Sequence, residues 1–200
     1  EEMRDLYRYD EVNGETDVFG VIADPVGHSL SPLIHNSAFA HLKMNKVYLP
    51  LRIPPKDLAQ FLDEAPQLGI RGLSVTIPHK EGVLEKLTDA DESVSGIGAC
   101  NTIVFDGDRV RGYNTDCQAA MCSLEEAVGG SDGGEENGDG SPVRGKTALV
   151  LGSGGVGKAI AFGLIQRGAE VLLTDGEIDR AKDLAGRLNC GWIDWSERHG

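Results

Sequence analysis

Two hundred residues with 40% hydrophobic content can build one large or two small cores. A formal net charge of −13 argues against a nucleic-acid partner, because gripping phosphate backbones needs clustered Lys and Arg. No run approaches the roughly 18 apolar residues of a membrane span, and the charged start Glu1-Glu2-Met3-Arg4-Asp5 has no signal-peptide character. Cys100, Cys117, Cys122 and Cys190 form no C-x-x-C pair. Reduced thiols, no metal site and a cytoplasmic location are therefore expected. The first residue is not Met, so the chain is expected to be processed or part of something longer.

In chain order, a first strand is expected over residues 18–23. Ser31-Pro32 opens a helix to about residue 42, with Ser31 as N-cap and Pro32 at the first helical position. A second strand spans 47–51, and Pro54-Pro55 opens a helix over 55–68. The turn Gly69-Ile70-Arg71-Gly72 leads into a buried strand over 73–77, which Pro78 stops. A helix over 79–87 follows. Strands over 101–105 and 110–113 around Asp106-Gly107-Asp108 make a hairpin. Asp116 begins a helix of about ten residues, with Cys117 and Cys122 as packing residues on it.

Residues 129–142 carry no large apolar side chain and four acids, so they cannot bury enough surface to offset their ordering entropy. They read as a flexible acidic loop between domains. Beyond it, strands over 147–151 and 170–174 alternate with helices over 156–167 and 178–188. Trp192-Ile193-Asp194-Trp195 begins a third strand. The alternation predicts an α/β fold with mostly parallel sheet. Its expected parts are an N-terminal tail or linker (1–17), a catalytic substrate domain (18–128), the loop (129–142) and an incomplete Rossmann-type dinucleotide domain (143–200).

The segment Ser74-Val75-Thr76-Ile77-Pro78-His79-Lys80 puts a lysine just past the carboxyl end of a strand, where open α/β sheets hold their ligands. Cys100-Asn101-Thr102 and Tyr113-Asn114-Thr115-Asp116 stand beside further strands. A lysine, an amide and an acid from separate elements suit a small hydroxylated molecule. Gly152-Ser153-Gly154-Gly155-Val156-Gly157 fits G-x-G-x-x-G between a strand and a helix, and Asp175 ends the next strand about 20 residues on. In that context the loop holds a dinucleotide pyrophosphate and the acid takes ribose hydroxyls. Gly152, Gly157 and Lys158 also have P-loop spacing, but Ala159 lacks the hydroxyl that would hold Mg²⁺.

With these motifs in this order the chain resembles the shikimate dehydrogenases over most of their length except the C-terminal part. Gly27-His28-Ser29-Leu30-Ser31-Pro32 looks like that family's carboxylate loop, which implies that Ser29 and Ser31 bind the substrate acid. Two hydroxyls at a helix N-terminus suit an anion on physical grounds as well. His28 is read as structural to this loop. The resemblance implies Lys80 and Asp116 as the catalytic pair, and Thr76 and Asn101 as partners of the ring hydroxyls. His79 is read as a packing or capping residue. The implied activity is reversible NAD(P)-dependent reduction of 3-dehydroshikimate to shikimate, a step of aromatic amino-acid and chorismate biosynthesis. A quinate or quinate/shikimate dehydrogenase is an alternative. A non-catalytic sensor of these metabolites is another, against which retention of Lys80 and Asp116 argues.

Two departures stand out. Ser74 replaces the asparagine of many members. NADP-using members end the second Rossmann strand with Asn-Arg-Thr, whereas this chain has Asp175-Gly176-Glu177, which favours NAD. Arg180, nearby, could still meet a phosphate. The family's late glutamine would lie beyond Gly200. Residues 3–20 resemble the junction of bifunctional proteins with a 3-dehydroquinate dehydratase fused upstream.

Overall fold

The structure, a computed structural model, describes residues 2–129 and 140–198. Residues 130–139 of the expected loop over 129–142 therefore lie outside the described residues. The chain divides into two compact units. One comprises Glu1–Asp91 and Cys100–Tyr113, the other Glu92–Ala99 and Asn114–Gly200.

The first unit contains the short helix α1 (Glu2–Asp5), then β1 (Asp17–Ala23), α2 (Ser31–His41), β2 (Lys46–Arg52), α3 (Leu58–Glu64), β3 (Ile70–Val75), β4 (Asp89–Ala90), β5 (Thr102–Asp106) and β6 (Arg109–Tyr113). The six strands form one sheet in the order β2-β1-β3-β5-β6-β4. β1 runs parallel to β2 and β3, and β4 to β6. The hairpin β5–β6 adds the antiparallel pairings. Val21, Ile22, Leu73, Val75 and Ile103 are buried, as expected where a parallel sheet is covered on both faces.

Several local expectations in this unit are corrected. Ser31 is not the N-cap of α2 but its first residue, with Leu30 before it. The Ser29 hydroxyl accepts from the Ser31 N–H at 3.3 Å. The helix expected over 55–68 is α-helical only in α3, with 3-10 turns at Pro55–Asp57 and Ala65–Leu68. Pro66 has no N–H to continue the ladder, and Gly69 closes the element in the left-handed region. The strand expected over 73–77 ends at Val75, and Ile77 is 73% exposed. The helix expected over 79–87 is reduced to a 3-10 turn, Gly82–Lys86. In an α-helix the Lys80 carbonyl would accept from Leu84. Here it accepts from the Cys100 N–H at 2.7 Å, and Leu84 N–H turns to Glu81.

The second unit contains α4 (Glu92–Ile97), α5 (Thr115–Gly129), β7 (Thr147–Leu151), α6 (Gly155–Gln166), β8 (Glu170–Thr174), α7 (Ile178–Leu188) and β9 (Gly191–Trp192). Its strands are parallel in the order β7-β8-β9. β9 is shorter than the expected third strand, because Asp194 caps a 3-10 turn at Trp195–Glu197. α5 runs for 15 residues, longer than expected, and packs on α6. A Cβ on Gly163 of α6 would stand 2.7 Å from Met121 Cγ and 2.9 Å from Cys117 Sγ of α5. α4 meets α6 where Gly96 faces the Phe162 ring. This packing draws α4 and α5 out of the expected 18–128 segment into the second unit. Cys117 is buried in that packing, but Cys122 is exposed, contrary to its expected packing role. Five helical positions turn it to the far side of α5. All four cysteines are free thiols. Among the described residues no helix is long and apolar enough to cross a membrane, and no cluster of His, Cys, Asp and Glu could hold a metal.

Candidate functional site

In the first unit, polar side chains gather where β1 and β3 end. Thr76 leaves β3 but keeps its N–H on the Ile22 carbonyl at 3.2 Å. The Thr76 carbonyl accepts from the His79 N–H at 2.8 Å, a tight turn that carries the chain to Lys80. His79 is 1% exposed, and its Nε2 lies 2.8 Å from the Ile53 carbonyl. A carbonyl only accepts, so Nε2 carries the proton. The ring ties the turn to the segment after β2. Two short main-chain bonds then lash this region to the next: Val75 N–H to the Asn101 carbonyl and Cys100 N–H to the Lys80 carbonyl, both 2.7 Å. Thr76, Lys80 and Asn101 are thereby fixed in one frame. The Asn101 side-chain carbonyl accepts from Thr102 Oγ1 at 2.9 Å, which sets how the amide points. Burial pushes the Cys100 thiol above its usual range, so it stays protonated and packs.

The start of α2 is held from the other side. Asn36 of α2 is buried and makes two bonds to Tyr48 of β2, donating to its carbonyl at 2.8 Å and accepting from its N–H at 2.9 Å. β2 is the edge strand on that side, so Asn36 satisfies groups that no strand reaches. The His35 ring stacks on the Tyr48 ring at 4.3 Å. The Tyr48 hydroxyl and Ser74 Oγ share a hydrogen bond of 2.7 Å. Burial pushes this phenol up, and the bond with Ser74 opposes the shift. Tyr48 and Asn36 carry no motif and escaped the sequence reading. The available signal was a tyrosine inside an apolar strand, whose hydroxyl must find a partner. His28, expected to support the loop, is exposed.

In the second unit, Asn114 is buried, donates to the Ala99 carbonyl at 2.8 Å and accepts from Cys117 N–H at 3.4 Å. It caps α5 and puts Asp116, half-buried, in the first turn. The glycine loop joins β7 to α6. Gly152 has φ +102°, the region only glycine enters freely. A Cβ on Gly157 would strike the Gly152 carbonyl oxygen, whereas a Cβ on Gly154 would meet open space. Those are the three demands a dinucleotide loop makes: a tight turn, close helix–strand packing, and room for a pyrophosphate at the helix N-terminus. The residues present therefore fit such a group, with Ser153, Gly155 and Val156 completing the loop. Asp175 backs it. Its carboxylate accepts from Glu177 N–H at 2.9 Å and Ser153 N–H at 2.6 Å. These bonds, with Arg180 nearby, hold its pKa below the usual aspartate range against the opposing effect of burial. Arg180 itself pairs with Glu177 at 3.7 Å.

Comparison with known proteins agrees with this picture. The family model for the shikimate dehydrogenase substrate binding domain matches residues 21–103. A shikimate dehydrogenase (NADP(+)) of Methanothermobacter thermautotrophicus is 39% identical over 175 residues, covering 87% of this chain and 57% of its own length. A bifunctional 3-dehydroquinate dehydratase/shikimate dehydrogenase, chloroplastic, of Arabidopsis thaliana is 38% identical over 188 residues, 92% of this chain and 31% of that protein. The crystal structure of shikimate dehydrogenase from Aquifex aeolicus superposes with a TM-score of 0.83 at 32% identity, covering 94% of this chain and 66% of that one. The chain thus spans little more than half the length of the archaeal relative.

Proposed function

The chain belongs to the shikimate dehydrogenase family, and from that premise we propose that it carries the substrate site and the first half of the cofactor site of an enzyme interconverting shikimate and 3-dehydroshikimate. The observation that carries this reading is the pair of 2.7 Å main-chain bonds joining the Val75–Lys80 stretch to Cys100 and Asn101. They tie the main chain that carries Thr76 and Lys80 to the main chain that carries Asn101, which supports a common site for a polyhydroxylated ring.

Ser29 and Ser31 bind the substrate carboxylate at the start of α2, where helix N–H groups add to the hydroxyls. Thr76 and Asn101 bond the ring hydroxyls. Lys80 gives its proton to the oxygen that becomes the alcohol, and Asp116 orients both that oxygen and the lysine. The cationic lysine also stabilises the alkoxide as it develops. A nicotinamide dinucleotide, when bound, supplies or takes the hydride. Gly152, Ser153, Gly154, Gly155, Val156 and Gly157 cradle its pyrophosphate, and Asp175 takes the adenosine ribose hydroxyls. In the reverse direction Lys80 removes the hydroxyl proton.

The cofactor preferred is NAD. A ribose 2′-phosphate would meet the carboxyl groups of Asp175 and Glu177, and Arg180 is already paired with Glu177. The archaeal relative bears NADP(+) in its name, so the test is direct: kcat/KM of the full-length protein for NAD against NADP, with shikimate as the reductant. A preference of tenfold or more for NADP ends the NAD reading and leaves the dehydrogenase standing.

A further inference from the structure

We propose that Thr102 is a positioning residue for the substrate ring: its hydroxyl holds the Asn101 amide by the oxygen, so that the N–H₂ end of that amide meets the substrate. The inference rests on the dehydrogenase reading and deepens it at one of its contacts. Thr102 Oγ1 lies 2.9 Å from Asn101 Oδ1. An amide oxygen only accepts, so the hydroxyl donates. The oxygen is thereby engaged, and the two N–H donors stand at the other end of the amide plane. An N–H donor suits both forms of the substrate, because a hydroxyl oxygen and a carbonyl oxygen both accept. An acceptor in its place would serve the alcohol alone.

The chain around the bond is built to keep it. Successive side chains of a regular strand point to opposite faces, so neighbours there share no bond. Asn101 lies one residue before β5, which starts at Thr102, and so escapes that alternation. Its main chain is tied on both sides, with the Asn101 N–H on the Tyr113 carbonyl at 3.0 Å and the Val75 N–H on the Asn101 carbonyl at 2.7 Å. Thr102 is tied likewise. It pairs with Ser74 of β3 and with Tyr113 of β6, and its carbonyl accepts from Cys100 Sγ at 3.2 Å. A β-branched side chain on a fixed main chain has few rotamers, so the hydroxyl stays where the amide meets it. Asn101 is 9% exposed, so an amide loosened from Thr102 would find little water to replace the bond. Thr102 acts through Asn101 and needs no contact with the substrate.

The test uses the full-length protein. Thr102→Val removes the hydroxyl and keeps the β-branched shape. It is expected to raise KM for shikimate about three- to tenfold, the worth of one neutral hydrogen bond, with kcat within about twofold and KM for the dinucleotide unchanged. Thr102→Ser keeps a hydroxyl and is expected to return KM to within about twofold of wild type. Asn101→Asp keeps an oxygen for Thr102 but removes the N–H donors, and is expected to lose at least as much shikimate affinity as Asn101→Ala. In the Asn101→Ala background, Thr102→Val is expected to add nothing. A wild-type KM in Thr102→Val, no recovery in Thr102→Ser, a rise in KM shared by the dinucleotide, additive losses, or an Asn101→Asp protein that binds shikimate as wild type does would each overturn the proposal while leaving the dehydrogenase intact. Wild type that turns over no shikimate would overturn both.

Discussion

The glycine loop makes a prediction in which neighbouring, chemically identical changes separate fold from function. In Gly157→Ala the new methyl has nowhere to go, because it meets a backbone oxygen, that of Gly152, and not the end of a flexible side chain. Overpacking of this kind costs about 1–3 kcal/mol. Alanine inside a helix recovers up to about 1 kcal/mol. The net expectation is a loss of about 1–2 kcal/mol, enough to lower the urea midpoint of the second unit measurably. In Gly154→Ala the methyl enters open space at φ −75°, ψ −177°, an ordinary extended conformation. Stability is expected to stay within about 0.5 kcal/mol. On the proposed reading that open space takes the pyrophosphate, so cofactor binding is expected to fall at least tenfold although the fold is untouched. Urea unfolding followed by fluorescence and a cofactor titration on both full-length variants decide the matter. A Gly157→Ala protein as stable as wild type would refute the tight strand–helix crossing. A Gly154→Ala protein with unchanged cofactor affinity would refute the placement of the pyrophosphate.

Three further expectations follow from the same geometry. Asn36→Ala leaves the N–H and carbonyl of Tyr48 without partners at a buried edge, so it is expected to destabilise the first unit by about 2–4 kcal/mol in urea unfolding; a shift below about 0.5 kcal/mol would contradict the clamp. Lys80→Ala is expected to lower kcat by about 10²–10⁴ while shikimate binding changes far less, and equal losses in both would remove Lys80 from proton transfer; Asp116→Asn should damage both. Asp175 has a depressed pKa in the folded chain, so its contribution to stability is present above the unfolded aspartate value and disappears as pH falls through the folded one. The urea midpoint should therefore drop on the acid side of the ordinary aspartate range, and Asp175→Asn should flatten that drop; an identical acid limb in the variant would show that the Ser153 and Glu177 bonds do not matter.

What could be read in advance follows from which forces are local. Strands β7 and β8 and helix α7 were legible to the residue, because each is a periodic apolar run bracketed by glycine or polar residues. The glycine loop was legible because its demands are met within one turn of chain. The stretch after Pro78 was not. Its pattern favours a helix, but the Lys80 carbonyl is claimed by Cys100, 20 positions later, and no local rule foresees that bond. The same holds for α5. Its sequence announces a helix, yet whether it belongs with the strands before it or the fold after it depends on Gly163 being small enough to admit Met121. Tyr48 shows a third limit. A polar tip in an apolar strand signals that a partner exists, but only the pairing of β1 with both β2 and β3 brings Ser74 within 2.7 Å.

The most direct test of the account follows the absorbance of reduced nicotinamide in the full-length protein, with shikimate and with quinate, each against NAD and NADP. The account predicts turnover of shikimate, faster with NAD than with NADP, and lowered about 10²–10⁴-fold in Lys80→Ala. Turnover of quinate in preference to shikimate would contradict the substrate assignment. No turnover of either acid, alongside intact binding of shikimate, would contradict catalysis and leave a protein that only senses the metabolite.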